Sequence, residues 1–287
     1  MFNKRHIVRT IAATVSILAL SFTAACGSGQ STASNSTDSD DITQQTYKPG
    51  KLTIATGQPA YEPWVMNDKP ESGEGYEAAV AYAVADKLGF KKSDVVWTRT
   101  AFDTAIAPGA KDWDFNIQQF GITDERKKAV DFSSSYYNDS QSVVVKKDSK
   151  FANATKVSDL KDATVGVMVG TLAYDYAKAN IKDDIQTFND DAALAQALDA
   201  GQIDALVTST VECVYMVQSE QVKDAKVLGR LPDSEDKSGM GIVLPKDSKL
   251  TAAGTKAVDD LNADGTIKKL QDKWLAEYTT DLTELKK

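Results

Sequence analysis

The fold class is decided in the middle of the chain, at Thr164-Val165-Gly166-Val167-Met168-Val169-Gly170-Thr171. Residues 164–169 form a short apolar run of the kind that makes a buried strand. Gly170-Thr171 then begins a helix-forming segment that continues to residue 179. A buried strand followed directly by a helix is the repeating unit of α/β proteins. The segment therefore predicts an α/β fold.

The same alternation of strands and helices extends to both sides of this segment. Strands are predicted at residues 52–55, 95–97, 115–117, 142–146, 185–188, 203–207 and 240–244. Helices are predicted from Tyr76 to a stop at Gly89, at 191–200 and 212–218, and as a pair within 250–275 split at Asp264-Gly265. Strands that alternate with helices favour parallel sheets, and two successive α/β units predict two lobes.

The composition excludes several classes of protein. The 287 residues are 42% hydrophobic and 26% charged, which is ordinary for a folded protein and rules out general disorder. The formal net charge of −8 argues against a nucleic-acid partner, because phosphate binding needs a basic surface. The single histidine, His6, lies in the leader described next. We therefore expect neither histidine-based catalysis nor a metal site, and no cofactor.

The N-terminus has the layout of a secretory signal. Basic residues at positions 4, 5 and 9 precede an apolar run at 11–22 that is too short to cross a bilayer. Thr23-Ala24-Ala25 then places small residues directly before Cys26, a pattern that resembles the lipobox of bacterial lipoproteins. We predict a lipoprotein signal peptide at 1–25 and a lipid anchor on Cys26. An ordinary cleaved signal with an incidental cysteine is the alternative.

A polar segment follows the predicted anchor. Residues 26–49 are rich in Ser, Thr, Gly, Asp and Gln and lack hydrophobic periodicity, which predicts a flexible tether. Nothing after residue 46 is apolar over a length that could span a bilayer. The protein is therefore predicted to be exported and held by its lipid at the outer face of the bacterial cytoplasmic membrane.

Residues 125–133 carry a resemblance to a known family; they read Glu125-Arg126-Lys127-Lys128-Ala129-Val130-Asp131-Phe132-Ser133. With Gly121-Ile122-Thr123 before it and Tyr136-Tyr137 after it, this segment resembles the family 3 extracellular solute-binding proteins. These are the polar amino acid receptors of ABC importers. Further matches follow in the family's order, and together they cover nearly all of residues 50–278: Tyr61-Glu62-Pro63-Trp64, Gly75-Tyr76-Glu77, residues 166–171, residues 201–205, and Asp264-Gly265-Thr266 before Lys273-Trp274.

The resemblance implies a two-lobed α/β fold of the periplasmic-binding-protein type II class, in which two crossing hinge strands join lobes that close over a ligand. The crossings would lie near residues 142–145 and 239–243. Lobe 1 would then comprise residues 50–141 plus 243–287, and lobe 2 residues 142–242. A monomer is expected.

The resemblance also implies which residues bind the ligand's carboxylate. Arg126 stands at the family's carboxylate-binding arginine, and a guanidinium matches a carboxylate with two parallel hydrogen bonds. Gly170, Thr171 and the amide of Leu172 would hold the same carboxylate from lobe 2, at a helix N-terminus. The alternatives are a surface ion pair of Arg126 with a neighbouring carboxylate, and a plain helix cap at Thr171.

Aromatic and main-chain contacts are implied for the rest of the ligand. Tyr61 and Phe102 match the positions that sandwich the ligand, and Trp64 is placed on the same wall. Gln119 and Phe120 would line the ligand through their main chain. Ordinary core packing is the alternative for the aromatic residues. The Asp-rich stretch at 183–191 is interpreted as solvated surface.

Three positions depart from the family pattern or bear on specificity. Gly121 replaces a usual Ser or Thr, and Ser209 replaces the Asp that pairs with the ligand's α-amino group. Losing that carboxylate costs several kcal/mol unless it is replaced. Glu212, one helical turn on, is the candidate replacement, and a solvated helix N-terminus is the alternative. Gln58 is neutral where members that favour cationic side chains have an acidic residue, which argues against a lysine or arginine specialist.

The predicted function is that of a receptor that delivers an amino acid or a related small carboxylate to an ABC permease. Either the ligand lacks an ammonium group or its amine is held in a different way. Two alternatives remain: a sensing domain that acts on a membrane partner, and an enzyme like the dehydratases of this fold that act on prephenate or arogenate. Because no histidine is available as a base and no Glu/Lys arrangement points to elimination, we predict no enzymatic activity.

Overall fold

The computed structural model describes residues 41–279 and 282–287. The predicted signal peptide and the predicted lipid anchor on Cys26 lie outside the described residues. The last part of the predicted tether, residues 41–49, is packed against the folded chain. The Tyr47 amide donates to Asp114 Oδ1 over 2.6 Å, and Thr46 is buried. The flexible tether predicted for 26–49 therefore does not include these residues.

The described part of the chain contains ten strands and seven α-helices, together with seven short 3₁₀ helices. The strands are β1 (Leu52–Thr56), β2 (Val95–Arg99), β3 (Phe115–Asn116), β4 (Val130–Tyr137), β5 (Gln141–Lys146), β6 (Val165–Met168), β7 (Gln186–Phe188), β8 (Ala205–Ser209), β9 (Ala225–Arg230) and β10 (Met240–Pro245). The helices are α1 (Tyr76–Lys87), α2 (Phe102–Ile106), α3 (Leu172–Asn180), α4 (Asp191–Asp199), α5 (Thr210–Gln218), α6 (Thr251–Ala263) and α7 (Thr266–Trp274). Of the strands and α-helices, only β4, β9 and α2 have no counterpart among the predicted elements.

The strands form two five-stranded sheets, in the orders β2-β1-β3-β10-β4 and β7-β6-β8-β5-β9. In the first sheet β1 is parallel to β2 and β3, and in the second β6 is parallel to β7 and β8. β10 and β5 run antiparallel to both of their neighbours. Each sheet is therefore mixed, whereas the alternation of elements favoured parallel pairing.

Each sheet has its own helices and core, and we call the two assemblies the first lobe and the second lobe. In the first lobe, α1, α6 and α7 bury Val80, Val258 and Ile267 in one cluster with Leu52 of β1 and Leu244 of β10. Burial of such aliphatic side chains contributes about 1.5–3 kcal/mol each.

The second lobe buries both faces of its sheet. Val143 and Val145 of β5 pack in a cluster with Ala177 of α3, whereas Val144 between them packs with Leu194 of α4 and Met216 of α5. Successive strand residues point to opposite faces, so an apolar run is the pattern that a doubly covered strand requires.

The chain passes between the lobes at residues 138–140, from β4 to β5, and at 231–239, from β9 to β10. The predicted crossing strands, near 142–145 and 239–243, thus lie almost entirely within a sheet of one lobe. Gln141 was predicted for lobe 1 but pairs in the second sheet. Met240 and Gly241 were predicted for lobe 2 but pair in the first sheet.

The C-terminal residues cross back to the second lobe, although residues 243–287 were predicted for lobe 1. Arg230 N donates to Thr283 O, and Leu285 N donates to Arg230 O, both over 2.9 Å. Leu285 is buried in the second-lobe cluster that contains Val143. The described chain therefore ends on the second lobe.

Candidate ligand-binding cleft

A cleft with a cavity volume of about 280 Å³ lies between the two lobes. The ends of β1, β6 and β8 open into it at Thr56, Met168 and Ser209. The carboxyl ends of parallel strands are the usual place for ligands in α/β sheets. Asp139 and Asp236, on the two passages between the lobes, complete its lining.

Nine of the eleven residues predicted to bind the ligand line this cleft. They are Tyr61, Trp64, Phe102, Gln119, Gly121, Arg126, Thr171, Leu172 and Ser209. Phe120 does not line it; the ring is buried behind the wall and stacks on Phe102 with centroids 4.5 Å apart. Gly170 does not line it either and instead supplies a carbonyl to Arg126.

The Arg126 guanidinium lies between the lobes. Its Nη1 donates to Gly121 O over 2.7 Å and its Nη2 donates to Gly170 O over 2.8 Å. Its Cζ lies 5.5 Å from the centroid of the Phe102 ring. Burial lowers the pKa of Arg126, while the charges of nearby acidic groups oppose this, and an arginine remains charged in proteins. Two of its five N–H groups donate to these carbonyls, and the other three have no hydrogen-bond partner among the described residues.

The carboxylates next to Arg126 in the sequence have other partners. Lys127 Nζ lies 3.4 Å from Asp124 Oδ1, and Lys128 pairs with Glu125. The surface ion pair considered for Arg126 is thus not formed with either neighbour among the described contacts.

Thr171 caps α3 and lines the cleft at the same time. Its Oγ1 accepts from Tyr174 N over 3.2 Å and donates to Met168 O over 2.8 Å. The free N–H groups of the first helical turn, including that of Leu172, begin at this wall. Such a terminus favours an anionic group.

Trp64 both packs in the core and lines the cleft. It is 1% exposed and contacts the rings of Tyr76 and Tyr137, with centroids 6.0 and 5.6 Å away. Its Nε1 donates to Glu212 Oε2 in the second lobe over 3.3 Å. Core packing and a wall position thus coexist in this residue.

A buried carboxylate fixes the main chain at Gln119. Glu77 of α1 is fully buried and accepts hydrogen bonds from Gln119 N over 2.7 Å, from the Gln119 side chain and from the Tyr136 hydroxyl. Burial raises the pKa of Glu77 to about 7, and these hydrogen bonds oppose the shift. Gln119 has a φ of 52°, an uncommon backbone conformation for a residue with a side chain. Sequence reasoning noted Glu77 only as part of a family motif.

The cleft also contains acidic residues that sequence reasoning missed. Burial raises the pKa of Asp139 and of Asp191 to about 6 each. Asp190 lines the cleft beside Asp191 and caps α4 by accepting from Ala193 N over 2.8 Å. The interpretation of 183–191 as solvated surface is therefore wrong at these two residues.

Ser209 caps α5 and lies beside a carboxylate from the first passage between the lobes. Its Oγ accepts from Glu212 N over 3.3 Å, and its side chain lies close enough to Asp139 to lower the pKa of that carboxyl group against the effect of burial. Asp139 accepts from the amides of Ser140 and Val211 over 2.7 and 3.4 Å. Asp139 thus anchors the start of α5, next to the position where the family's usual carboxylate is replaced.

Gly121 is packed so closely that a side chain would meet both the second lobe and a passage. A Cβ at this position would lie 2.6 Å from Leu172 Cδ1 and 2.8 Å from Asp236 Oδ2. These two side chains fill the space that a Ser or Thr would occupy. The replacement of the usual Ser or Thr by Gly121 is therefore accompanied by neighbouring side chains that fill the vacated space.

We expect Gly121→Ser to weaken ligand binding about 5-fold, because the new side chain would displace the ends of the Leu172 and Asp236 side chains, and such ends can turn away at the low end of the overpacking cost, about 1 kcal/mol. Calorimetric titration with the tightest ligand measures the change. Gly254→Ala is the matched control, since a Cβ there meets only ordinary contacts at 3.5 Å or more. Unchanged affinity in Gly121→Ser would contradict this account of the close packing.

The sequence model of the bacterial extracellular solute-binding proteins, family 3, matches residues 52–277. The chain belongs to this family. The family membership predicted from residues 125–133 is confirmed, and this chain is a solute-binding receptor. Because the family is extracellular, this solute-binding protein is exported.

Characterised relatives carry the names of amino-acid-binding proteins. The L-arginine-binding protein of Pseudomonas aeruginosa is 29% identical over 245 residues, which cover 80% of this chain and 88% of the relative. The L-cystine-binding protein TcyJ of Escherichia coli K12 is 29% identical over 223 residues, covering 77% and 81%. A solved structure of an ancestral arginine-binding protein bound to arginine is 31% identical, has a TM-score of 0.67, and covers 78% of this chain and 98% of its own. The predicted two-lobed type II fold is confirmed.

Two further features concern membranes and metals. In residues 41–279 and 282–287, no helix combines the length and apolar character needed to cross a membrane. Within the same residues, no group of three or more His, Cys, Asp or Glu side chains is arranged to hold a metal ion.

Proposed function

We propose that this solute-binding protein delivers an amino acid or a related small carboxylate to an ABC importer. The observation that carries the proposal is the position of Arg126. Its guanidinium lies in the cleft, bonded to carbonyls of both lobes, with N–H groups left for a carboxylate. The names of the arginine- and cystine-binding relatives support the same class of ligand.

A ligand bound here would favour the closed arrangement of the lobes. A carboxylate on Arg126 would lie within reach of the α3 N-terminus, where Thr171 and Leu172 line the cleft from the second lobe. Contacts to both lobes stabilise the closed state by the difference in ligand affinity between the two states. Tyr61 and Phe102 would supply apolar contact from the first lobe.

We also propose that the protein is anchored through a lipid on Cys26. The small residues before this cysteine and the apolar run before them support the proposal. Mass spectrometry of the mature N-terminus tests it. An unmodified N-terminal residue at any position would refute the anchor and leave the receptor function unaffected.

A thermal-shift panel tests the proposed function. It contains the common L-amino acids, L-ornithine, L-cystine and small carboxylates without an amine. A ligand at 100 times its dissociation constant stabilises the folded state by about 2.7 kcal/mol, which raises the melting temperature by about 5–10 °C in a protein of this size. The absence of a shift with every member would refute the proposal.

A dehydratase-like enzyme is a second candidate function, and one observation favours it. Glu212 is a buried carboxyl group in the cleft, and burial followed by the charge of Asp191 raises its pKa well above the usual range. A buried carboxyl group with a raised pKa can act as a general acid toward a leaving hydroxyl group. Incubation with prephenate and arogenate decides this candidate, because elimination would release carbon dioxide and an aromatic product.

A further inference from the structure

One carboxylate oxygen of Glu212 has no hydrogen-bond partner in the part of the chain that the structure describes. The residue is 4% exposed, and its Oε2 accepts a hydrogen bond from Trp64 Nε1 over 3.3 Å. Its Oε1 is enclosed and has no hydrogen-bond partner among the described residues. Leaving such an oxygen unpaired costs free energy, so its position on the cleft wall indicates a group that arrives with the ligand.

Asp191 and Tyr61 present further acceptors to the same part of the cleft. Asp191 Oδ1 accepts only a long bond of 3.4 Å from Thr208 Oγ1 among the described side-chain contacts. The Tyr61 hydroxyl is buried and makes no hydrogen bond of good geometry with the residues that the structure describes, although the Ala192 amide approaches it. Burial first, and then the charge of Asp190, raise the pKa of Tyr61, while the Ala192 amide opposes the shift. The charges of Asp191 and Glu212 also raise it, so these groups lie near one another.

The charges around this part of the cleft are almost all negative. The charges of Asp191 of α4, of Asp139 on the first passage and of Glu77 of α1 act on Glu212. Asp190, which caps α4, lines the cleft beside Asp191. Among the described residues that line the cleft, Arg126 is the only cation, and it is held by the carbonyls of Gly121 and Gly170. Neither Asp191 nor Glu212 takes part in an ion pair within the described chain.

We propose that Glu212, Asp191 and Tyr61 form the subsite that binds a protonated primary amine of the ligand. An ammonium group has three N–H donors, and Glu212 Oε1, an Asp191 oxygen and the Tyr61 hydroxyl are three acceptors for them. The ligand then extends from a carboxylate at Arg126 to an ammonium at this subsite. The inference rests on the proposed function and narrows it to carboxylates that carry an ammonium group.

Binding of the amine should displace a proton. Burial, and then the neighbouring charge of Asp190, raises the pKa of Asp191 to about 6, and burial, followed by the charge of Asp191, raises the pKa of Glu212 well above its usual range. Both carboxyl groups therefore hold a proton more readily than exposed carboxyl groups do. A cation favours the ionised form, so affinity for an amine rises as pH increases through these pKa values.

Matched pairs of probes test the subsite by calorimetric titration. Each pair is an L-amino acid and the same carboxylate without the α-amine: L-arginine with 5-guanidinopentanoate, L-phenylalanine with 3-phenylpropanoate, and L-glutamine with 4-carbamoylbutanoate. We expect the amino acid of at least one pair to bind about 100-fold more tightly than its partner. Titration in buffers of different ionisation enthalpy should show proton release with that amino acid.

Glu212→Gln keeps the shape of the side chain and removes its charge. We expect it to weaken binding of the amino acid about 30- to 100-fold, to change binding of the matched carboxylate less than about 3-fold, and to abolish most of the proton release. Glu220→Gln is the matched control: Glu220 is exposed and follows the end of the same helix, so the substitution should leave both affinities unchanged. Asp191→Asn is the second test variant and should show the same selectivity for the amine.

The outcomes separate this inference from the proposed function. If carboxylates without an amine bind as tightly as the amino acids, the subsite is refuted and the carboxylate receptor stands. If Glu212→Gln and Asp191→Asn weaken both members of a pair equally, their role is structural and the subsite is refuted. If no probe of either kind binds, both the proposed function and the subsite fail.

Discussion

Arg126→Ala is expected to weaken binding of the best ligand about 30- to 4,000-fold, the largest effect on binding that we expect from one substitution. The guanidinium is the only cation among the described residues that line the cleft, and it contacts both lobes. Removing it leaves a ligand carboxylate without a charged partner in a partly buried site, which costs about 2–5 kcal/mol. The carbonyls of Gly121 and Gly170 also lose their shared donor.

Two control variants test whether the effect comes from the guanidinium group itself, and the melting temperature tests whether it comes from a loss of folding. Arg126→Lys keeps a charge but has no planar fork, so we expect a smaller loss of affinity than with alanine. Lys128→Ala removes an exposed cation that pairs with Glu125 and should not change binding. Calorimetric titration gives the affinities, and the melting temperature without ligand reports folding. Affinity within about threefold of the native protein in Arg126→Ala would refute the carboxylate site.

Gly75→Ala is expected to reduce the free energy of unfolding by about 3 kcal/mol or more. Gly75 precedes α1 with a φ of 100° and a ψ of 158°, and a Cβ there would lie 2.5 Å from Trp64 O and 2.7 Å from Val65 Cα. All close atoms belong to the backbone, so no side chain can turn away. The main chain must shift, and strain adds to the steric cost. The shift would also displace Trp64, which lines the cleft, and Glu77, which holds the Gln119 main chain.

Gly89→Ala provides a control just beyond the other end of α1. Its φ is 86°, but a Cβ there meets no atom within 4 Å. Only the backbone conformation then opposes the substitution, at a cost of about 1–2 kcal/mol. Urea denaturation of both variants measures the difference. Equal destabilisation of the two would show that close packing at Gly75 contributes nothing beyond its positive φ.

Elements whose hydrophobic pattern is contained within a few neighbouring residues were predicted from the sequence. Doubly covered strands such as β5 and β6 are continuous apolar runs, so their positions follow from composition. The two strands without a prediction, β4 and β9, each lie at one edge of a sheet and have only part of their residues buried. Their apolar residues are interrupted by polar or charged ones, which weakens the apolar signal, whereas the other two edge strands, β2 and β7, overlap predicted strands. The antiparallel pairing of β5 and β10 depends on distant segments, and no local pattern reveals it.

The candidate site was only partly predictable for the same reason. The positions taken from the family resemblance lie in the cleft or directly behind its wall, and Glu212 had been considered as an amine partner. Asp139, Asp190 and Asp191 had no sequence signal, because acidic residues between elements usually face water. They reach the cleft only through the folding of the second lobe and of the first passage. The chemical group at a family-matched position is therefore predictable from the sequence, whereas the residues that surround it depend on how distant segments fold together.

The return of the C-terminus to the second lobe places the two ends of the described chain on different bodies. Tyr47 is 52% exposed and its amide is bonded to Asp114 in the first lobe, while Leu285 is buried in the second. A donor dye at position 47 and an acceptor dye at position 287 would therefore follow the opening of the cleft by energy transfer. The thiol of Cys213 is fully buried, and burial raises its pKa, so it would not compete for a cysteine-directed dye. The distance between these two labelled positions would therefore report ligand binding.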